Sequence, residues 1–199
     1  MKRGTLTHAI ILGTFCFGFG LVLAITDRLT HQAIGARALE DRQNSLSQVL
    51  PGNLHNNNPA EDTIIVKDEE GQEITIYRAL QSGSITGVAY EIRSLGYAGE
   101  VKLMLGVDVN GKVLGVRVLS HKETPGLGDR IETKKGNWIL QFTGLSIGEP
   151  PIEKWKVKKD GGQFDQFSGA TITPRGVVGA IRTGLEFFST HKAEILRMR

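Results

Sequence analysis

A chain of 199 residues, 40% hydrophobic and 23% charged, is long enough for one membrane segment plus one globular domain of ordinary size. A formal net charge of +3, with no dense Lys/Arg stripe and no base-reading motif, argues against a nucleic-acid partner. A single cysteine rules out an intrachain disulfide and any cysteine-based metal or haem site.

Residues Ala9 to Ile25 carry no charge. As a helix rising about 1.5 Å per residue they cover about 26 Å. Adding Leu6, Thr7 and His8 brings the run near bilayer length. Lys2 and Arg3 precede it, and Asp27 and Arg28 follow. This pattern predicts a cytoplasmic N-terminus (1–8), a single anchor (9–26) and a main domain beyond the membrane, periplasmic in a Gram-negative host. A cleaved signal peptide is the rival reading. Leu23-Ala24-Ile25-Thr26 lacks a small-x-small cleavage site, and the apolar run is long for a signal core, so a retained anchor is preferred. Cys16, inside this run, has no lipoprotein-type context.

Residues 27–60 form a connector. Leu29, Ala33, Ile34, Ala38, Leu39, Leu46 and Leu50 recur among charges at helical spacing, and Pro51-Gly52-Asn53 stops the helix. Asn53 to Asp62 reads as a polar loop.

The domain assigned to 61–199 opens β-rich. Thr63–Val66 and Ile74–Tyr77 flank a Glu70-Gly71 turn. A long strand starting at Tyr97-Ala98-Gly99 places Val101, Leu103, Leu105, Val107 and Val109 on one face, with Lys102, Met104 and Asp108 on the other. Asn110-Gly111 predicts a type I′ hairpin turn. The return strand carries Leu114, Val116 and Val118. Short helices follow around Leu127–Thr133 and Asn137–Phe142, then a short strand near Trp155-Lys156-Val157. The final helix is predicted to be capped by Thr173 with Pro174 at its first position, and Val177, Ile181, Leu185 and Phe188 form its buried stripe. The fold class is α+β: a twisted antiparallel sheet with packed helices, behind one N-terminal transmembrane helix.

Two segments carry chemistry. Ser168-Gly169-Ala170-Thr171 precedes the last helix, where backbone N–H groups and the helix dipole favour an anion. Taken alone, so short a motif reads as a turn plus an N-cap. A functional role needs Gly169 and Ala170 small enough for backbone to approach a ligand, an exposed Thr171 hydroxyl, and cations such as Arg175, Lys158 and Lys159 nearby. Upstream, Pro125 stiffens a loop in which Gly126 and Gly128 permit unusual backbone angles; without the first segment, this one reads as structural. Glu123 has the chemistry of a catalytic carboxylate but no matched partner in sequence, and His121 reads as a strand-end residue. No nucleophile elbow, P-loop, dinucleotide fingerprint or paired-histidine metal motif is present.

Three segments together resemble a known family: Gly96-Tyr97-Ala98-Gly99-Glu100, the run from Ser120 to Asp129, and the run from Lys158 to Pro174. They are similar to the FMN-binding G subunit of the Rnf-type electron transport complex. A sister family, the C subunit of the sodium-translocating NADH:quinone reductase, shares the same motifs. The shorter chain and the Asp160–Phe167 run favour the Rnf-type family. The resemblance implies FMN joined by a phosphoester to Thr171, with Ser168, Gly169, Ala170 and Thr173 shaping the attachment site. It implies ring contacts from Thr124, Gly126 and Leu127. It further implies a bacterial inner-membrane, single-pass protein relaying electrons beside other membrane subunits, in a complex that binds NAD and ferredoxin through subunits other than this one, and a separate flavin transferase for maturation. Such a chain is not a complete enzyme alone. A non-redox exported binding or assembly domain on the same fold is the alternative of a different class.

Overall fold

The structure, a computed structural model, describes residues 2–197. Side chains of residues 2–3, 5–6 and 31–39, and with them Lys2, Arg3, Leu6, Ala33, Ile34, Ala38 and Leu39, lie outside the described residues. The chain divides into two compact units, Met1–Arg42 and Gln43–Arg199.

Helix α1 runs over Lys2–Val49. Within the first unit its stretch Thr7–Thr30 is long and apolar enough to cross a bilayer, and it is unburied by protein. Ile10, Phe17 and Leu23 project outward, as expected of side chains that need a hydrocarbon solvent. Its hydroxyls are satisfied within the helix: Thr14 donates to Ile10 O at 2.9 Å, and Thr26 to Val22 O at 2.9 Å. The helix is thus compatible with anchoring in a membrane.

The second unit is built on a five-stranded antiparallel meander in the order β1 (Thr63–Lys67), β2 (Glu73–Gln81), β3 (Ser84–Leu95), β4 (Glu100–Asp108), β5 (Val113–Ser120). The front face of the sheet buries Val66, Ile76, Val88, Tyr90, Leu103, Leu105 and Val116 against helix α2 (Ile172–Ile195) and the 3-10 turns of the 121–167 region. Helix α2 contributes Val177, Ile181, Leu185 and Phe188, the stripe read from its spacing. Tyr90, fully buried, donates to Gly184 O at 2.8 Å; burial pushes its hydroxyl far above the ordinary tyrosine range, so it stays a donor. The back face buries Tyr77, Ala79, Ala89 and Met104 beneath Leu46, Val49 and Leu50. Covering both faces explains why Met104, read as lying on a polar face, is 3% exposed.

The turns correct the sequence reading. At Asn110-Gly111 only Gly111 has a positive φ, +89°. Asp108 closes the loop instead: its Oδ1 accepts the N–H groups of Asn110 and Lys112, both at 2.8 Å, and the register shifts between Gly106 and Val107. That is a longer Asx-type turn, because Asp108 offers the backbone a partner that a two-residue hairpin lacks. The backbone signature of type I′ occurs at Ser82-Gly83 (φ 51° and 80°), joining β2 to a strand β3 that the periodicity reading passed over. Strand β4 begins at Glu100, since Gly96 N–H bonds Gly99 O across a turn. The strand expected near Trp155 is a single bridge between Val157 and Phe164.

Candidate functional site

The site forms where three loops meet at the N-terminus of α2. Phe167–Ala170 is a tight turn closed by Ala170 N–H to Phe167 O at 3.1 Å. Gly169 sits at φ +79°, a conformation costly for any residue with a Cβ. Ser168 and Gly169 are exposed, and Ala170 and Thr171 are partly exposed. Thr171 is the helix N-cap position but its side chain makes no capping hydrogen bond, leaving the hydroxyl uncommitted to the helix.

Beside this turn lies the 124–128 loop. Leu127 N–H bonds Thr124 O at 3.1 Å, and Gly126 N–H bonds Asp129 Oδ1 at 2.7 Å. Asp129 is buried, with Lys135 Nζ at 3.7 Å from its other oxygen. Thr124 and Gly126 are exposed, and Leu127 is 43% exposed. A methyl group placed on Gly169 would touch Leu127 Cδ2 at 3.7 Å, so the two segments are neighbours in space. An exposed apolar side chain and the small residues of the turn that precedes Thr171 are thereby brought together.

Thr173 corrects an expectation. It lies inside α2, 0% exposed, and donates its hydroxyl to Glu123 Oε2 at 2.5 Å rather than capping the helix. Pro174 accordingly sits inside the first turn, after Ile172 and Thr173, and not at the first position. Glu123 Oε1 accepts Ala98 N–H at 2.9 Å, and Glu123 is 6% exposed. One carboxyl group therefore ties together the three segments that carry the family resemblance. Gly96 and Gly128 make room for it. A methyl on Gly96 would fall on Glu123 Oε1 and 2.9 Å from Val101 Cγ2; one on Gly128 would meet Glu123 and lie 3.0 Å from Thr173 Oγ1. No periodicity points to Glu123, because its partners are 25 and 50 residues away; the usable signal is an acid bracketed by glycines in separate motifs.

His121 extends the network. Its Nδ1 accepts Glu123 N–H at 2.9 Å, which assigns the proton to Nε2, and that atom donates to Glu132 Oε1 at 2.6 Å. Two of the three cations expected to serve a phosphate are already engaged. Arg175 forks onto Asp160 through Nε (2.6 Å) and Nη2 (2.9 Å), and Lys158 pairs with Asp165 at 2.7 Å. The Arg175 hydrogen bond, more than any other influence, holds the Asp160 carboxyl below its usual range. Below the turn, Phe167 packs on Trp138 (5.2 Å between centroids) and under Arg130 (5.0 Å).

The FMN-binding domain family matches residues 96–186, a span that opens at the Gly96 turn and closes within α2. The G subunit of an ion-translocating oxidoreductase complex from Cereibacter sphaeroides is 46% identical over 98% of this chain and 89% of that protein. The same-named protein from Stutzerimonas stutzeri is 46% identical over 90% and 79%, and that from Vibrio vulnificus 42% over 98% and 93%. The crystal structure of the C subunit of the Na(+)-translocating NADH-quinone reductase from Parabacteroides distasonis shares the fold, with a TM-score of 0.52 at 20% identity over 80% of this chain and 94% of the other. By identity sustained over nearly its whole length, the chain belongs to the G-subunit family of Rnf-type ion-translocating oxidoreductase complexes.

Proposed function

We propose that this protein is the membrane-anchored flavoprotein subunit of an Rnf-type ferredoxin/NAD oxidoreductase, and that it carries FMN as a phosphoester on Thr171. The observation that carries the reading is the contrast within one motif. Of its two threonines, Thr171 is partly exposed on the surface turn with no capping hydrogen bond from its side chain, while Thr173 is buried and committed to Glu123.

The residues present fit such a group. Ser168, Gly169 and Ala170 leave backbone open at a helix N-terminus, where a phosphate is favoured. Exposed Thr124 and Gly126 and the apolar side chain of Leu127 offer a surface to a planar ring, on a loop fixed by its own hydrogen bonds. When bound, FMN supplies the ability to accept and release electrons; the protein supplies position and electrostatics. A threonine hydroxyl is a weak nucleophile without an activating base. The two buried carboxyls close in the fold are already engaged, Glu123 by Thr173 and Ala98 N–H and Asp129 by Gly126 N–H. That supports attachment by a separate flavin transferase acting on an activated flavin nucleotide: Oγ1 bonds to the flavin phosphorus, the phosphoanhydride P–O bond to the donor's nucleotide half breaks, and that half leaves as the threonine proton departs. A covalent tether also keeps the cofactor in a compartment where lost FMN is not easily replaced.

The apolar Thr7–Thr30 stretch, with Lys2 and Arg3 before it, supports an inner-membrane anchor, a cytoplasmic N-terminus and a periplasmic domain. Electrons then pass to and from neighbouring membrane subunits of the complex. The second reading, the equivalent component of a sodium-translocating NADH:quinone reductase, rests on fold likeness at 20% and 22% identity. Identification of the subunits that copurify separates the two. The test of the main reading is coexpression with a flavin transferase: flavin fluorescence retained on a denaturing gel is expected, and a colourless, non-fluorescent band rejects it.

A further inference from the structure

We infer that Glu123 and Thr173 form a clasp that positions the flavin: together they hold the ring-contacting loop and the attachment turn in one fixed relation. The inference rests on the reading that FMN is carried on Thr171. Glu123 immediately precedes Thr124, and Thr173 is two residues after Thr171. Joining their side chains at 2.5 Å fixes the separation between the two halves of the site. The second carboxyl oxygen, on Ala98 N–H at 2.9 Å, ties the clasp to the sheet through the β3–β4 turn. His121 Nδ1 accepts the Glu123 N–H, fixing the backbone from which the loop departs.

The surroundings show that the arrangement is built in. Both Glu123 and Thr173 are buried, and any side chain on Gly96 or Gly128 would displace the carboxyl group. A buried hydroxyl-to-carboxyl bond is retained only when both partners are kept, since either left alone is buried unsatisfied. Glu123 is thus a positioning residue. Its carboxyl oxygens bond Thr173 and Ala98 N–H, and it acts through Leu127, which follows it on the loop and lies against Gly169. The same geometry gives Thr173, five residues after Ser168, a role of its own. Its side chain is inaccessible to a transferase acting on the folded domain, so its service there is internal.

The test uses the full chain, coexpressed with a flavin transferase, as wild type and as Glu123→Gln, Thr173→Val, the double variant and Thr173→Ser. Covalent flavin is read by intact mass, ring immobilisation by flavin fluorescence anisotropy, and ring environment by midpoint potential. Folding is checked by near-UV circular dichroism. Each single variant is expected to lower anisotropy and shift the potential, or to slow loading. The double variant is expected to be no worse than the more affected single one, as for two halves of one contact. Thr173→Ser, which keeps the hydroxyl, is expected to match wild type. Folded single variants with wild-type loading, anisotropy and potential overturn the inference, as does a double variant whose losses simply add. Should Glu123→Gln not fold, the Thr173→Val and Thr173→Ser pair decides: equal behaviour of the two refutes the clasp. A wild-type chain lacking covalent flavin instead removes the functional reading itself, and is seen before any variant is compared.

Discussion

The exposed turn Ser168–Thr171 and the layer beneath it, Glu123 with Thr173, Gly96 and Gly128, answer to different constraints although they meet within a few residues. The turn needs only openness: small residues, one left-handed glycine and a hydroxyl free of the helix. The layer beneath needs close complementarity of shape and hydrogen bonding, because Glu123 and Thr173 are held out of water. Surface chemistry and the frame that aims it are thus separable, and substitutions should affect one without the other.

The largest separation is expected for Thr171→Ala. Covalent flavin should disappear from intact mass completely, while urea unfolding changes by no more than about 0.5 kcal/mol, as for a surface substitution outside the core. Flavin persisting in that variant would move the attachment to another residue. Gly128→Ala should do the opposite. Its methyl group meets Glu123 and Thr173 Oγ1, so a destabilisation of about 1–3 kcal/mol is expected by chemical denaturation, with Thr171 still able to be modified in the folded fraction. Leu127→Ala should sit between them. The side chain is 43% exposed, so stability falls by less than about 1 kcal/mol, while flavin emission and anisotropy change because the apolar neighbour is gone. The smallest effect belongs to Arg175→Gln, which removes the fork onto Asp160. Asp160 has a lowered pKa in the folded chain, so its stabilisation is present above the ordinary carboxylate pKa of about 3.9 and is lost as pH falls through the lower folded value. Wild type and variant should therefore differ slightly near neutral pH and converge in acid, as read by thermal unfolding at a series of pH values.

The difference between the two regions also governs what the amino-acid sequence discloses. The α2 stripe is periodic and the apolar N-terminal run continuous, and each appears where the sequence places it; β4 keeps its expected inner face, but its second face is covered too, so Met104 is buried. The Ser168–Thr171 turn is legible because its residues are contiguous. The clasp is not, because Glu123, Ala98 and Thr173 come together only through the β3–β4 turn and the packing of α2 on the sheet. Strand β3 escaped for a related reason. With both sheet faces covered, Val88, Ala89 and Tyr90 are all buried, and a continuous buried run gives no two-residue alternation to detect. The Asn110-Gly111 turn misled because Asp108, two residues earlier, captures the backbone first. Thr173 misled in the same way: a threonine before a proline is a good cap by type, but a buried carboxyl group is the stronger partner.

The most direct test of the account is peptide mapping by mass spectrometry of the protein isolated from its own host with its transferase active. The peptide spanning Ser168 to Arg175 should carry the mass of FMN less one water, with fragmentation assigning it to Thr171. An unmodified peptide from such material, or a flavin mapped to any other residue, would contradict it.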